Sequence, residues 1–159
     1  MRARPKSIFL LVAAFFLAGT PLLAQTTLVE EHWPNGQLRL RKHVQIQADG
    51  MSVDHGTFQR WHDNGKKEYE ANFVLGKKEG TTIRYHRNGR KATQQEYLKG
   101  ERHGPSASWN EAGVKVKEEN WAEGKPHGTW TVWQDGKIKW RHTYDHGVPA
   151  PLPPSPESK

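Results

Sequence analysis

The sequence predicts an all-β fold: one elongated, single antiparallel sheet of repeated β-hairpins. Three superimposed series carry this reading. Glycines recur every 24 residues at Gly56, Gly80, Gly104 and Gly128, and a second series runs Gly76, Gly100 and Gly124, with Gly147 one place early. An aromatic stands at Trp61, Tyr85, Trp109 and Trp133 with the same period. One period shared by three series describes a stack in which each unit buries its apolar face against its neighbours.

Residues 1–24 stand apart from the stack. Arg2, Arg4 and Lys6 precede an apolar run from Ile8 to Ala18, and Ala24 is followed by polar Gln25 and Thr26. A charged start, a short apolar core and a small residue at the end describe a secretory signal peptide cleaved near Ala24. The apolar core is about half of the ~20 residues that cross a bilayer, so no transmembrane segment is expected in the mature chain. The expected location is secreted or periplasmic. The chain has no Cys, which excludes disulfides and thiolate metal sites. All 17 acidic residues but only 21 of the 24 basic ones follow Ala24, so the net charge falls from +7 to about +4 after cleavage. That modest charge, together with export, makes nucleic acid a poor partner.

The repeat domain is expected over 25–148, with units at about 28–55, 56–79, 80–103, 104–127 and 128–148. The first unit starts near Leu28. Its Trp33-Pro-Asn-Gly36 segment is aligned with Trp61 and the turn after it, and five surplus residues within Gln45 to Asp54 are read as a widened inter-hairpin loop. Each later unit opens with a five-residue strand ending in an aromatic, as in Gly56-Thr-Phe-Gln-Arg-Trp61. The tight turns are expected at His62-Asp-Asn-Gly65, His86-Arg-Asn-Gly89, Asn110-Glu-Ala-Gly113 and Gln134-Asp-Gly136, where Asn-Gly and Asp-Gly supply positive φ. Return strands end at Phe73, Tyr97, Trp121 and Tyr144; in the first of them Tyr69, Ala71 and Phe73 share one face. Looser loops follow, as in Gly76-Lys-Lys-Glu-Gly80. Pro149, Pro151, Pro153, Pro154 and Pro156 are expected to end pairing, which makes 149–159 a Pro-rich disordered tail.

Nine of the 13 aromatics after Ala24 fall in the two repeated columns, and these columns are expected to form the core. The Lys, Arg, Glu, Gln and Thr positions are read as solvated. Units of the form Gly-x-x-x-x-Trp/Tyr-x-x-Asn-Gly, then a strand with Glu or Gln and an aromatic, then Gly-Lys-x-x-Gly, resemble the MORN repeat, specifically its bacterial variant. The resemblance covers about residues 28 to 148 and departs from the pattern at Pro105, Ala112 and the shorter Gln134-Asp-Gly136 turn. It implies a scaffold or binding surface. Some eukaryotic arrays are linked to membranes or partner proteins, and some bacterial variant-repeat proteins are labelled antitoxins.

The expected function is therefore an exported, non-enzymatic repeat scaffold that binds a protein or envelope partner through an extended β surface. Surface contact is assigned to the off-column aromatics Phe58, Trp130 and Trp140, and Lys77, Lys78, Arg102 and Lys125 are read as one edge that would attract an anionic lipid headgroup or cell-wall glycan. Edge-to-edge self-association at the open sheet ends is a further expectation. An antitoxin-like partner and a metal-dependent hydrolase are the alternatives. Nine His residues make a metal constellation conceivable. However, equivalent His residues one unit apart, such as His62 and His86 or His103 and His127, stand two strand spacings apart, about 9–10 Å. Metal bonds are roughly 2 Å. No catalytic residue, cofactor or metal is expected from the sequence; His55, beside the insertion and near His32 or His43 in this reading, is the one weak exception.

Overall fold

The computed structural model describes residues 26–151. The export segment expected over 1–24 and the part of the tail beyond Pro151 lie outside them. The described residues form one antiparallel sheet that does not close, in sequence order throughout. Its strands are β1 (Thr26–His32), β2 (Leu38–Ile46), β3 (Ser52–Trp61), β4 (Lys67–Val74), β5 (Lys77–Lys78), β6 (Gly80–Tyr85), β7 (Lys91–Leu98), β8 (Glu101–Trp109), β9 (Lys115–Ala122), β10 (Lys125–Pro126), β11 (Gly128–Gln134), β12 (Lys137–Asp145) and β13 (Val148–Pro149). No helix of the described residues is long and apolar enough to cross a membrane.

At Asp135-Gly136 both residues have positive φ, the tight turn expected there, but elsewhere the two kinds of turn differ from the expected ones. Leu75 and Gly76 both have positive φ, as do Lys99 with Gly100, Glu123 with Gly124, and His146 with Gly147. Two successive positive-φ residues make the type I′ hairpin turn, whose twist matches that of the strands it joins. The glycine loops are therefore the tight turns. At His62-Asp-Asn-Gly65 only Gly65 has positive φ. Gly65 N–H donates to His62 O at 3.0 Å and His62 N–H to Lys66 O at 2.9 Å, and the register shifts between Arg60 and Trp61. That is the wider turn with a glycine bulge, in which the Asn side chain caps its own turn: Asn64 Oδ1 accepts from Lys66 N–H at 3.1 Å.

Two ladders stitch successive units. On one margin Gly76 N–H donates to Asp54 O at 2.8 Å, Gly100 to Lys78 O at 2.9 Å, Gly124 to Arg102 O at 2.9 Å and Gly147 to Pro126 O at 2.7 Å. On the other, Asn35 Nδ2 donates to Asp63 O at 3.0 Å, Asn64 to Arg87 O at 2.9 Å and Asn88 to Glu111 O at 2.8 Å. Ala112 ends this second ladder, since it has no amide to offer. Beside the Asn rungs, His62 Nε2 meets Tyr85 O at 3.3 Å and His86 Nε2 meets Trp109 O at 2.8 Å.

Trp33 occupies the His position, because Gly36 N–H donates to Trp33 O just as Gly65 does to His62 O, and Trp33 Nε1 donates to Trp61 O at 3.1 Å. Aligning Trp33 with Trp61 was thus off by one residue; an aromatic with a ring N–H stands in for imidazole. The surplus residues do not widen a loop either. They lengthen β2 and β3 and close them with a turn in which Gln47 N–H donates to Met51 O at 2.8 Å, and a register shift between Lys42 and Val44 absorbs the change. At the far end Pro149 pairs with Tyr144, and Ala150 N–H donates to Thr143 O at 2.8 Å. Pairing survives because alternate N–H groups of an antiparallel edge point away from the partner, so the missing donor of Pro149 is not required.

Burial follows from the single layer. The two aromatic columns lie in equivalent places but on opposite faces, and every ring in them is half-buried. The most buried residues are instead Val44, Tyr69, Ala71, Thr82, Gln95, Ser106, Glu119 and Thr131. Thr82 pairs Gln95, Gln95 pairs Ser106 and Ser106 pairs Glu119, so a polar row runs along mid-strand across the sheet. With no second layer, mid-strand positions are covered by long side chains in neighbouring rows, whereas the columns lie toward the margins.

Candidate binding surface

Strand alternation places Tyr69, Ala71 and Phe73 on one face with Phe58, which pairs Ala71. Across the sheet the same face carries Tyr97, Trp121, Trp130, Trp140, His142 and Tyr144, as the registers through Gln95, Ser106 and Glu119 require. The glycine and aromatic series share a period for a visible reason: Gly56 pairs Phe73, Gly80 pairs Tyr97, Gly104 pairs Trp121 and Gly128 pairs Tyr144. A ring lies opposite each position that lacks a side chain.

Most of the rings gather in two clusters on this face, one on β3 and β4 and one from β9 to β12. Phe58 sits edge-on to Tyr69 at 5.8 Å and 5.6 Å from Phe73. In the other cluster Trp121 and Trp130 are 4.9 Å apart, Trp130 and Tyr144 5.0 Å, Tyr144 and His142 5.2 Å, and His142 stacks on Trp140 at 6.0 Å with 16° between planes. Trp130 is held by its Nε1 donating to Asn120 O at 2.9 Å. Cations lie over the rings: Lys78 4.7 Å from Tyr97, Arg102 4.6 Å from Trp121 and Lys117 5.3 Å from Trp130.

Of the residues predicted for contact, Phe58, Trp130, Trp140, Lys78 and Arg102 share this face, with Phe58 on β3 and the pair Trp130 and Trp140 far along the sheet on β11 and β12. Lys77 and Lys125 do not: Lys77 precedes Lys78 in a two-residue strand and faces the other way, and Lys125 repeats its position one two-unit period later. The four cations therefore do not form one edge. The sequence pattern does not single out His142, and it places Tyr97, Trp121 and Tyr144 in the core. The available signal was parity, since Trp140, His142 and Tyr144 alternate along one strand.

The opposite face carries the Trp61 column and a repeated polar pattern. Lys67 pairs Glu70 at 2.7 Å, Lys91 Nζ meets Gln94 at 2.9 Å, and Lys115 pairs Glu118. The Tyr85 hydroxyl donates to Glu70. Burial and that bond to Glu70 push the Tyr85 pKa up to about 12. Glu70 stays below the usual carboxylate range: burial pushes it up, but its hydrogen bonds to Lys67 and Tyr85 outweigh this. A raised phenol pKa stabilises the fold fully below the unfolded value of ~10, and that contribution is lost as pH rises through about 12. Absorbance titration at alkaline pH is expected to show one of the four tyrosines ionising late, and Glu70→Gln to bring that step down toward ~10. A single unsplit step in the native chain would refute this. At the break in the Asn ladder an open cleft of about 570 Å³ is lined by Asn110, Val114, Lys115, Val116, Trp133 and Asp135.

Residues 54–74, from β3 into β4, match the family model described as the MORN repeat variant. No curated protein matches the chain. The matched segment holds one Gly–aromatic strand, its bulged turn and its return strand, and the units after it repeat that pattern in the same sheet. The chain therefore carries a repeat of the MORN variant type, matched over 54–74 and set in an elongated sheet of copied hairpins.

Proposed function

We propose that the protein is an exported, non-enzymatic scaffold that binds a protein partner across its aromatic face. The observation that carries this reading is the run of rings from Trp121 through Trp130 and Tyr144 to Trp140, which ends on a tryptophan 39% exposed. Tryptophan and tyrosine clusters of this kind dominate protein interfaces, because they bury large areas with little loss of side-chain entropy. An anionic lipid or glycan is less well supported. Lys78, Arg102 and Lys117 lie over rings, Lys117 also pairs Glu119 at 2.5 Å, and Lys77 and Lys125 face away.

Affinity capture from the exported fraction tests the reading. The partner is expected to stay bound at about 1 M salt, where the screening length is ~3 Å, and to be lost by at least about tenfold in Trp130→Ala and Trp140→Ala, as for interface hot spots. Binding that salt abolishes and both tryptophan variants retain would favour the anionic component instead. Export is read from residues 1–24, and N-terminal sequencing of the exported protein is expected to begin at Gln25. A chain that keeps Met1 would contradict it.

A further inference from the structure

We infer that His127, Asp145 and His146 form a surface site for a divalent transition-metal ion, with Zn²⁺ the species expected. Their donor atoms all lie within 4.8 Å of one another. His146 Nδ1 is 2.6 Å from Asp145 Oδ1, His127 Nδ1 is 3.5 Å from the same oxygen, and the two imidazole rings are 4.8 Å apart. Two imidazole nitrogens and one carboxylate oxygen suit Zn²⁺, whose bonds of about 2.0–2.1 Å place neighbouring tetrahedral donors about 3.3 Å apart. The His127–Asp145 separation is already near that value. The His146–Asp145 contact needs to open by about 0.7 Å, the two imidazole nitrogens, within 4.8 Å of each other, need to close toward the same separation, and a fourth position is left for water.

The backbone explains why these three groups meet here. Gly147 N–H donates to Pro126 O at 2.7 Å, the last rung of the glycine ladder, and this fixes the Asp145–Val148 turn against the segment holding His127. The same rung in the preceding layer brings His103 beside Ala122 and Glu123, and in the one before it Glu79 beside Leu98 and Lys99. Only the last of these layers combines two imidazoles and a carboxylate. It does so where His146 takes the positive-φ turn position, at 46°. The repetition argument that equivalent histidines stand too far apart remains sound, but His127 and His146 are not equivalent: they come from different positions of adjacent layers.

All three side chains are open to solvent, at 46%, 81% and 58% exposure for His127, Asp145 and His146. Substituting them therefore leaves the fold intact, which circular dichroism checks. The experiment is isothermal titration of the untagged mature chain with ZnCl₂ near neutral pH. Stoichiometric 1:1 binding is expected. His127→Ala, His146→Ala and Asp145→Asn are each expected to weaken binding by at least ~10-fold to 100-fold, the range seen when even an outer-shell partner is lost. His86→Ala, at a turn on the opposite margin, is expected to leave zinc binding unchanged. No binding near neutral pH, or binding that survives all three ligand substitutions, would overturn the assignment.

Discussion

Tyr69→Ala is expected to cost about 3–5 kcal/mol, the range for deleting a large buried ring. Tyr69 is 5% exposed, the most buried aromatic of the described residues. Its ring takes the edge of Phe58 at 5.8 Å and lies under the guanidinium groups of Arg84 at 5.0 Å and Arg60 at 5.5 Å. The loss combines the burial of the ring itself with its contacts to Phe58, Arg60 and Arg84. Tyr69→Phe keeps the ring and is expected to restore most of the loss. Val74→Ala, at a residue 43% exposed, is expected to stay within about 0.5 kcal/mol. Urea denaturation of the three variants measures all of this. If Tyr69→Ala behaved like Val74→Ala, the sheet would draw its stability from elsewhere.

Gly100→Val is the second large effect, at about 2–3 kcal/mol. Gly100 has φ of 93° as the second central residue of a type I′ turn, where a β-branched side chain is strongly disfavoured. A Cβ there would lie 3.4 Å from that of Lys77, on the neighbouring unit. The same residue donates the rung to Lys78 O, so the strain falls on both the hairpin and the junction between units. In a stack held by nearest-neighbour contacts, damage at one junction is expected to separate the melting of the two halves. A second transition in the thermal unfolding of Gly100→Val reads this directly. A variant as stable as the parent, melting in one step, would show that the turn is not type I′ in solution.

Period, element type and the order of the hairpins were legible because copied glycines and aromatics mark both margins of every unit. What the sequence obscured follows from the single layer. A column of repeated rings reads as a core by default, yet Trp61 and Phe73 fall on opposite faces, and the buried places went to Thr82, Gln95, Ser106 and Glu119, which composition marks as solvated. Asp135-Gly136 is the tight turn its sequence announces, but the turn types are exchanged in the earlier units because Asn-Gly is the strongest type I′ signal, whereas here Asn64 and Asn88 spend their side chains on the next unit's carbonyls. Leu75, Lys99 and Glu123, poor positive-φ residues, take the tight turns instead. Trp33 was misplaced by one residue because it resembles the aromatic column in size and His62 in hydrogen bonding. Of the candidate surface, the off-column aromatics were legible; the partition of Lys77 from Lys78 needed the register of β4 with β5.

The claim on which the rest stands is that each hairpin is fastened to the one before it by the glycine ladder. Amide hydrogen exchange resolved by NMR reads those bonds one at a time. Gly76, Gly100 and Gly124 N–H are expected to exchange as slowly as mid-strand amides such as those of Gln95 and Ser106, with Gly147, at the end of the stack, faster. Exchange of all four glycine amides at the rate of an open loop, while the strands stay protected, would mean that the units are not stitched along that margin and would contradict this account.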